Sequence, residues 1–394
     1  MSELISDLPN VGIQRDEIEA RLVRAQEAAG RRNLDALLVV GRSFYDRPGN
    51  LAYLTNHFPP FPSTANLADW QGMGHSFLLL PASGDPSLIA DGRAYREDLV
   101  AIQDGRTDTN LPRGVSEAIH EKVLTQATIG LVGEDLLPLS IYRSLTERLP
   151  GVTWEPASGI VESMRRIKSP KEQELLQRGA DVSGLGLRAA LDAIGHGVTE
   201  LEVNAVGTAA AMRAGADFIR YLRVHSGHWS GFGSRWPQAS DRQMKKGELV
   251  AMDIIGAVQG YGFDVLRTTI VGWDTLPEQR KMCEAVLHAV AATLDKARAG
   301  VTCGELVRAG LKVMEDAGYG QYANRFMGHG IGLETVEAPL LVPDCEVMLE
   351  PGMVLCIEPG IFIRGTAGCS IEEEVIITED EPVVMTDVSR RLWE

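Results

Sequence analysis

Apolar residues follow two different patterns in the first part of the chain. Between residues 15 and 34 they recur every three or four positions, whereas residues 36–40 form a short apolar run that ends at Gly41. The first pattern is typical of an amphipathic helix and the second of a buried strand. The strand pattern recurs, with helical stretches in between, at residues 51–54, 76–80 and 127–133. This alternation predicts an α/β domain, which we place at residues 1–158.

The pattern changes in residues 159–394, where helices and strands are predicted in blocks. Ser169 followed by Pro170 marks the start of a helix, because serine caps helix N-termini and proline suits the first helical turn. Thr199 and Glu202 have the spacing of a capping box at the start of another helix. Candidate strands follow at residues 249–254, 268–271, 353–357 and 374–377. These blocks predict a second domain of the α+β class.

Composition narrows the possible functions. The 394 residues include 38 Lys and Arg against 54 Asp and Glu, which gives a net charge of −16 at pH 7. Nucleic acids and anionic membranes require a basic face, so we expect neither as a partner. The five cysteines form no Cys-x-x-Cys pair, and the N-terminus has no apolar signal segment. We therefore expect a cytoplasmic protein with reduced thiols.

Two aspartates interrupt or follow apolar strand patterns in the second domain. Asp253 lies inside Leu249–Gly256, and Asp264 follows eleven residues later, after the turn-forming Gly260. A hairpin that turns near Gly260 would bring both carboxylates together.

Three further residues extend this set. His329 is flanked by glycines, and Glu358 and Glu372 lie inside or beside strand-like apolar segments. Each of these residues alone is more typical of a structural or surface position. An unpaired buried carboxylate is costly, however, and divalent cations remove that cost. One imidazole with four carboxylates suits Mn, Co, Fe or Zn, so the set predicts two divalent ions per chain that activate a shared water.

The whole pattern resembles the pita-bread metallopeptidase superfamily, which includes aminopeptidase P, prolidase, methionine aminopeptidase and creatinase. The resemblance rests on the five candidate ligands and on two further motifs, Asn50–Thr55 and Arg166–Ser169. It implies a creatinase-like α/β N-terminal domain at residues 1–158. It also implies an α+β pita-bread catalytic domain at residues 159–394, and assembly as a homodimer.

The resemblance further implies a role for each candidate ligand. Asp253 would chelate one ion, and Asp264 and Glu372 would bridge both. His329 and Glu358 would complete the second ion's ligands. Glu358 and His329 are also the expected catalytic pair, with Glu358 shuttling the proton of the attacking water.

Several positions depart from the prolidase and aminopeptidase P pattern. Trp236 and Val336 stand where those enzymes usually carry histidines. Ser370 and Leu266 stand in place of the usual arginine and threonine. A missing imidazole removes a hydrogen-bond donor that would stabilise an oxyanion. The ligand set is thus complete, while the residues around it differ.

The segment 221–236, which is rich in aromatic and basic residues, offers possible replacements. The predicted substrate-binding residues are Tyr221, Arg223, His228, Trp236 and, outside the segment, Val336. Aromatic rings suit a cationic substrate, and arginine suits a carboxylate. The alternative is that this segment packs as an aromatic loop at a dimer contact.

The sequence leaves two main functions open. The first is a metal-dependent hydrolase of a peptide or amide C–N bond, an Xaa-Pro peptidase similar to prolidase that acts on a short peptide. The second is action on a small metabolite, by C–N hydrolysis as in ectoine hydrolase or creatinase, or by elimination as in dimethylsulfoniopropionate lyase. A non-enzymatic, partner-binding role is a third hypothesis, against which the retention of all five ligands argues.

Overall fold

The structure is a computed structural model whose chain divides into two compact units, Met1–Arg165 and Arg166–Glu394. The residues that it describes are 12–63, 70–93, 95–233, 235–273 and 275–393. In the first unit helices and strands are interspersed, with three strands in succession between residues 75 and 108, and in the second unit they occur in blocks. The predicted fold class, an α/β domain followed by an α+β domain, is confirmed.

A six-stranded sheet with the order β4-β3-β2-β1-β5-β6 forms the centre of the first unit. Its strands are β1 (Ala36–Arg42), β2 (His75–Pro81), β3 (Ser87–Asp91), β4 (Asp104–Asp108), β5 (Thr128–Val132) and β6 (Thr153–Pro156). The helices are α1 (Arg15–Arg31), α2 (Gly49–Thr55), α3 (Leu111–Glu121), α4 (Leu139–Arg148) and α5 (Ser158–Arg165). The central strand β1 runs antiparallel to β2 and parallel to β5, and its apolar residues are fully buried.

One predicted strand in this unit is wrong. Residues 51–54 lie in α2, which ends at Asn56 with a left-handed backbone (φ 58°). Every residue of α2 is buried, so its apolar run has no polar face that would reveal a helical period. A short buried helix and a buried strand therefore look alike in the sequence.

Four long helices form much of the second unit. They are α6 (Pro170–Ala193), α7 (Glu200–Ala214), α8 (Pro277–Leu294) and α9 (Cys303–Asp316). The predicted cap at Ser169 and the predicted capping box at Thr199 are both present, and Ser169 and Thr302 also form capping boxes. Each such cap stabilises its helix by about 1 kcal/mol, because it satisfies backbone N–H groups that have no partner within the helix.

The strands of the second unit form three sheets, with the orders β7-β8-β9, β11-β10-β12-β15-β16 and β13-β14. Their bounds are β7 (Phe218–Ser226), β8 (Leu249–Val258), β9 (Tyr261–Ile270), β10 (Gly328–Gly330), β11 (Glu337–Leu340), β12 (Val354–Ile357), β13 (Gly360–Ile363), β14 (Ala367–Ser370), β15 (Glu373–Ile376) and β16 (Val383–Val384). One apolar cluster joins α6 and α7 to β7, β8 and β9, and another joins α8 and α9 to β12 and β15. Among the described residues, no helix has the length and apolar character that crossing a membrane requires.

Candidate metal centre

A tight hairpin sets the relative position of the two aspartates. In the β8–β9 pair, Ile255 lies opposite Asp264 and Asp253 lies opposite Leu266. Since side chains two residues apart on a strand point to the same face, Asp253 and Asp264 share one face of the hairpin. The structure therefore contains the hairpin that the eleven-residue spacing predicted, although its strands extend further than the apolar runs suggested.

The other three candidate ligands come from a second sheet. Cys356 on β12 pairs with His329 on one side and with Glu374 on the other. Glu358 lies two residues beyond Cys356, and Glu372 lies two residues before Glu374. By the same two-residue period, His329, Glu358 and Glu372 point to one face of this sheet.

Gly328 allows the histidine strand to lie directly against β12. Its φ of 133° is in the region that favours glycine, and a Cβ there would lie 1.9 Å from the carbonyl oxygen of Cys356. Any larger residue would push β10 away from β12. The glycine that precedes His329 is therefore what permits the close backbone approach that sets the position of the imidazole.

The two faces meet in a compact buried group, which we call the five-residue cluster: Asp253, Asp264, His329, Glu358 and Glu372. One carboxylate oxygen each from Asp253, Asp264 and Glu372 lies within 4.8 Å of the others. The imidazole Nε2 of His329 lies 3.7 Å from a carboxylate oxygen of Asp264 and 3.7 Å from one of Glu358. The structure thus brings together all five residues that the sequence singled out as metal ligands.

Burial and mutual repulsion make it costly to ionise all the carboxyl groups of the cluster. Burial raises the pKa of Asp264 and of Glu372 well above the ordinary values, and neighbouring carboxylates raise both further. Burial raises the pKa of Glu358 to about 8, with a contribution from Asp253. The full negative charge of the site therefore requires a compensating positive charge.

The imidazole of His329 is oriented by its own backbone neighbour. Its Nδ1 lies 2.9 Å from the carbonyl oxygen of Gly330, a distance at which Nδ1–H donates a hydrogen bond. That bond leaves the Nε2 lone pair directed at Asp264 and Glu358. Burial lowers the pKa of His329, which favours the neutral form that binds metals.

Unpartnered oxygens provide a test of whether a cation fits this cluster. Asp253 Oδ1 and Glu372 Oε1 are buried and accept no hydrogen bond within the described parts of the chain. Buried acceptors of this kind normally have a partner, and an oxygen-rich set with one imidazole matches the donors that Mn, Co, Fe or Zn accept. The residues present therefore fit divalent cations.

Comparisons with known proteins agree with this site. Residues 174–379 match the model of metallopeptidase family M24, and residues 21–167 match that of the creatinase/prolidase N-terminal domain. The chain belongs to metallopeptidase family M24. The pita-bread superfamily resemblance drawn from the motifs is thereby confirmed.

Two similar proteins come from species of Pyrococcus. The Xaa-Pro dipeptidase of Pyrococcus horikoshii is 31% identical over 261 residues, which are 66% of this chain and 73% of that protein. That of Pyrococcus furiosus is 30% identical over 278 residues, 70% of this chain and 78% of that protein. The solved structure of the Xaa-Pro dipeptidase from Bacillus anthracis superposes with a TM-score of 0.81 at 26% identity, covering 95% of this chain and 99% of that one.

Three residues that contact the five-residue cluster were not among the predicted ligands. Glu374 accepts a hydrogen bond of 2.6 Å from the backbone N–H of Asp264. Cys356 places its sulfur within 4.8 Å of ligand atoms of His329 and Glu372. Arg267 is fully buried, pairs with Glu373 at 2.8 Å and donates to the backbone carbonyl of Glu372. In the sequence, only their spacing could have indicated these contacts, because Cys356 and Glu374 each lie two residues from a predicted ligand and therefore point to the same face of the strand.

Arg223 and Tyr221, two predicted substrate-binding residues, lie next to Asp253. Arg223 Nη1 is 2.8 Å from Asp253 Oδ2, and Arg223 Nη2 donates to the hydroxyl of Tyr221 at 2.9 Å. Burial raises the pKa of Tyr221, with a further contribution from Asp253. The guanidinium therefore contacts a predicted metal ligand directly, and its role in substrate binding stays a prediction.

The remaining predicted substrate-binding residues are exposed. Trp236 is 86% exposed and Val336 is 51% exposed. The exposed His228 lies against Trp229, with ring centroids 4.9 Å apart and the ring planes tilted by 37°. Their part in substrate binding stays a prediction.

Proposed function

We propose that this chain is a metal-dependent hydrolase of a peptide C–N bond that acts on short Xaa-Pro peptides. The observation that carries the proposal is the convergence of the five-residue cluster on one buried site. The similar proteins named Xaa-Pro dipeptidases support the substrate class. Trp236 and Val336, which stand where histidines are usual, favour the small-metabolite alternative, and the names of the similar proteins outweigh them.

The five-residue cluster would hold two divalent cations, drawn from Mn, Co, Fe or Zn. Asp253 would bind one of them, His329 and Glu358 the other, and Asp264 and Glu372 both. Bound cations of this kind supply Lewis acidity, which lowers the pKa of a water molecule and polarises a carbonyl. The raised pKa values of the carboxyl groups, together with the unpartnered oxygens, support the need for this charge.

Glu358 is the member of the cluster best placed to move a proton. Its side chain is 21% exposed, whereas those of Asp253, Asp264 and His329 are at most 8% exposed. In the proposed reaction Glu358 accepts a proton from the attacking water as the new C–O bond forms at the carbonyl carbon. It then passes that proton to the amine nitrogen as the C–N bond breaks, so that one water is consumed.

The substrate would lie on the side of the cluster where Glu358 is exposed. The proposed substrate contacts are Tyr221, Arg223, His228, Trp236 and Val336. We also propose a cytoplasmic homodimer. The free state of all five thiols supports a reducing compartment, and the homodimer is what the family resemblance implies.

An activity assay tests the function. The purified chain, freed of metal and then supplied with Mn²⁺ or Co²⁺, should cleave Ala-Pro or Gly-Pro in a cation-dependent way. A panel of N-acyl and betaine-like metabolites should be turned over far more slowly. Turnover of a metabolite with no dipeptide cleavage at any cation concentration would overturn the proposed substrate class.

A further inference from the structure

Four of the five cysteines lie side by side in two pairs. The thiol of Cys283 on α8 forms a hydrogen bond with that of Cys369 on β14. Cys303, at the start of α9, forms the same contact with Cys345. All of these thiols are free in this structure. Each pair is a candidate for a disulfide, because only thiols that already lie close together can be joined without movement of the backbone.

The backbone holds Cys303 and Cys345 next to each other. The N–H of Cys303 donates to the carbonyl oxygen of Val347 at 2.9 Å, and the N–H of Gly304 donates to that of Cys345 at 2.8 Å. These bonds satisfy N–H groups in the first turn of α9, which have no partner within the helix. The start of α9 is therefore fixed on the segment that carries Cys345, and the two sulfurs can be joined without separating these elements.

Solvent access distinguishes the two pairs. Cys283, Cys369 and Cys303 are 0% exposed, whereas Cys345 is partly exposed. Burial raises the pKa of Cys303 to about 12, with a contribution from Cys345, so Cys303 carries its proton at neutral pH. Because a reagent reacts with an accessible thiolate, the first reaction belongs to Cys345, and Cys303 lies behind it as the second thiol.

We propose that Cys303 and Cys345 are a reversible oxidation site, at which a low-molecular-weight disulfide such as oxidised glutathione produces an intramolecular disulfide that stabilises the fold. The Cys345 thiolate attacks the reagent, so that one half leaves as a thiol and the other half stays on Cys345. The sulfur of Cys303 then displaces that half, which leaves with the Cys303 proton. The protein loses two electrons and two protons, and the reagent takes them up as it becomes two thiols.

The disulfide would close the chain between Cys303 and Cys345 into a covalent loop. That loop contains β10 and β11, and with them the cluster residue His329. A cross-link of this kind stabilises a fold mainly because it restricts the unfolded chain. The oxidised protein should therefore unfold at a higher temperature than the reduced one, and it should return to the lower temperature after reduction.

Thiol mapping of the full-length protein tests the proposal. Reduced wild type, Cys345→Ser, Cys303→Ser and Cys283→Ala are incubated with oxidised glutathione at neutral pH. Free thiols are then counted after denaturation, the intact mass is measured, and cross-linked peptides are identified by mass spectrometry. Cys283→Ala is the matched control, because Cys283 belongs to the fully buried pair. Thermal unfolding of oxidised and reduced wild type measures the stabilisation.

The wild type should fall from five free thiols to three and lose the mass of two hydrogen atoms, with Cys303 and Cys345 in one cross-linked peptide. Its melting temperature should rise by about 5 °C or more. Cys283→Ala should form the same cross-link. Cys303→Ser should instead gain one glutathionyl group, held on Cys345, because the second thiol is missing. Cys345→Ser should form neither product.

Three results with the wild type would overturn the proposal: five thiols that stay free, a mixed disulfide on Cys345 that persists, or a cross-link between other cysteines. An oxidised wild type that melts at the temperature of the reduced protein would overturn the stabilising role. These outcomes stand even if a variant fails to fold, because the wild type alone decides them. They leave the proposed function untouched, since none of them involves the five-residue cluster.

Discussion

The residue scale shows why five scattered positions could be recognised as one site. Asp253, Asp264, His329, Glu358 and Glu372 lie in strands or at strand ends, where side chains alternate between faces with a period of two. That period is visible in the sequence, so a carboxylate inside an apolar strand pattern can be recognised as an exception to the pattern. The ion pair of Arg223 with Asp253 is not readable in this way, because thirty residues separate the partners and nothing local couples them.

Asp264 should be indispensable for cation binding. Asp264→Asn removes a carboxylate that lies next to Asp253, Glu372 and His329, so we expect a loss of bound Mn²⁺ and of dipeptide turnover. The loss should be at least about 100-fold, because outer hydrogen-bond partners of metal ligands alone contribute 10–100-fold. Metal analysis and steady-state kinetics measure both effects.

The control for this substitution is Asp241→Asn, an exposed aspartate of the same unit. It should keep the wild-type metal content and turnover. Wild-type turnover in Asp264→Asn would show that the cluster is not the site of catalysis.

At the scale of elements, the β8–β9 hairpin determines whether the two aspartates share a face. Its two-residue turn, Gln259 and Gly260, has φ values of 50° and 81°. Positive φ at both turn positions is typical of a type I′ turn, whose twist matches that of the flanking strands. A slip of one residue in the pairing would place Asp264 on the opposite face from Asp253.

Gly260→Ala should destabilise this hairpin. A Cβ at φ 81° costs about 1–2 kcal/mol, so the free energy of unfolding should fall by about that amount. Denaturant unfolding followed by circular dichroism measures it. Gly195→Ala is the control, since Gly195 has no positive φ and a Cβ there would meet only Val198 at 3.4 Å. Equal losses in both variants would contradict the assignment of strain to the turn.

At the scale of the whole molecule, the acidity of the chain has two parts. The chain has 54 acidic residues against 38 basic ones, and the resulting net charge of −16 argues against nucleic acids and anionic membranes as partners. Four of them lie in the five-residue cluster, where Asp253, Asp264 and Glu372 are buried and Glu358 is partly exposed, and the group depends on a compensating charge. Composition alone cannot separate these two groups, because it counts residues without their positions.

Stability of the metal-free protein should fall as the pH rises from 7 to 8.5. Burial raises the pKa of Glu358 and that of Glu374 to about 8, from an ordinary value of 4.5. A carboxyl whose pKa is raised on folding adds stability that is fully present below pH 4.5 and is lost as the pH rises through 8. Thermal unfolding at both pH values measures the change.

Added Mn²⁺ should offset this loss, so its stabilising effect should be larger at pH 8.5 than at pH 7. At a cation concentration about 100 times Kd the gain at a single site is about 2.7 kcal/mol. Asp264→Asn should show little gain at either pH. A gain in wild type that does not depend on pH would contradict the link between cluster protonation and cation binding.

The sequence by itself determined the α/β and α+β classes, the cap at Ser169, the capping box at Thr199 and the five residues of the cluster. The classes and caps follow from local spacing, and the five residues follow from the cost of burying a carboxylate together with the resemblance to the pita-bread superfamily. Only the tertiary structure decided that residues 51–54 are helical and that Arg223 pairs with Asp253. Both depend on packing between distant segments. A fully buried helix has no polar face that would show its period in the sequence, and an ion pair between two strands produces no periodic pattern in either strand.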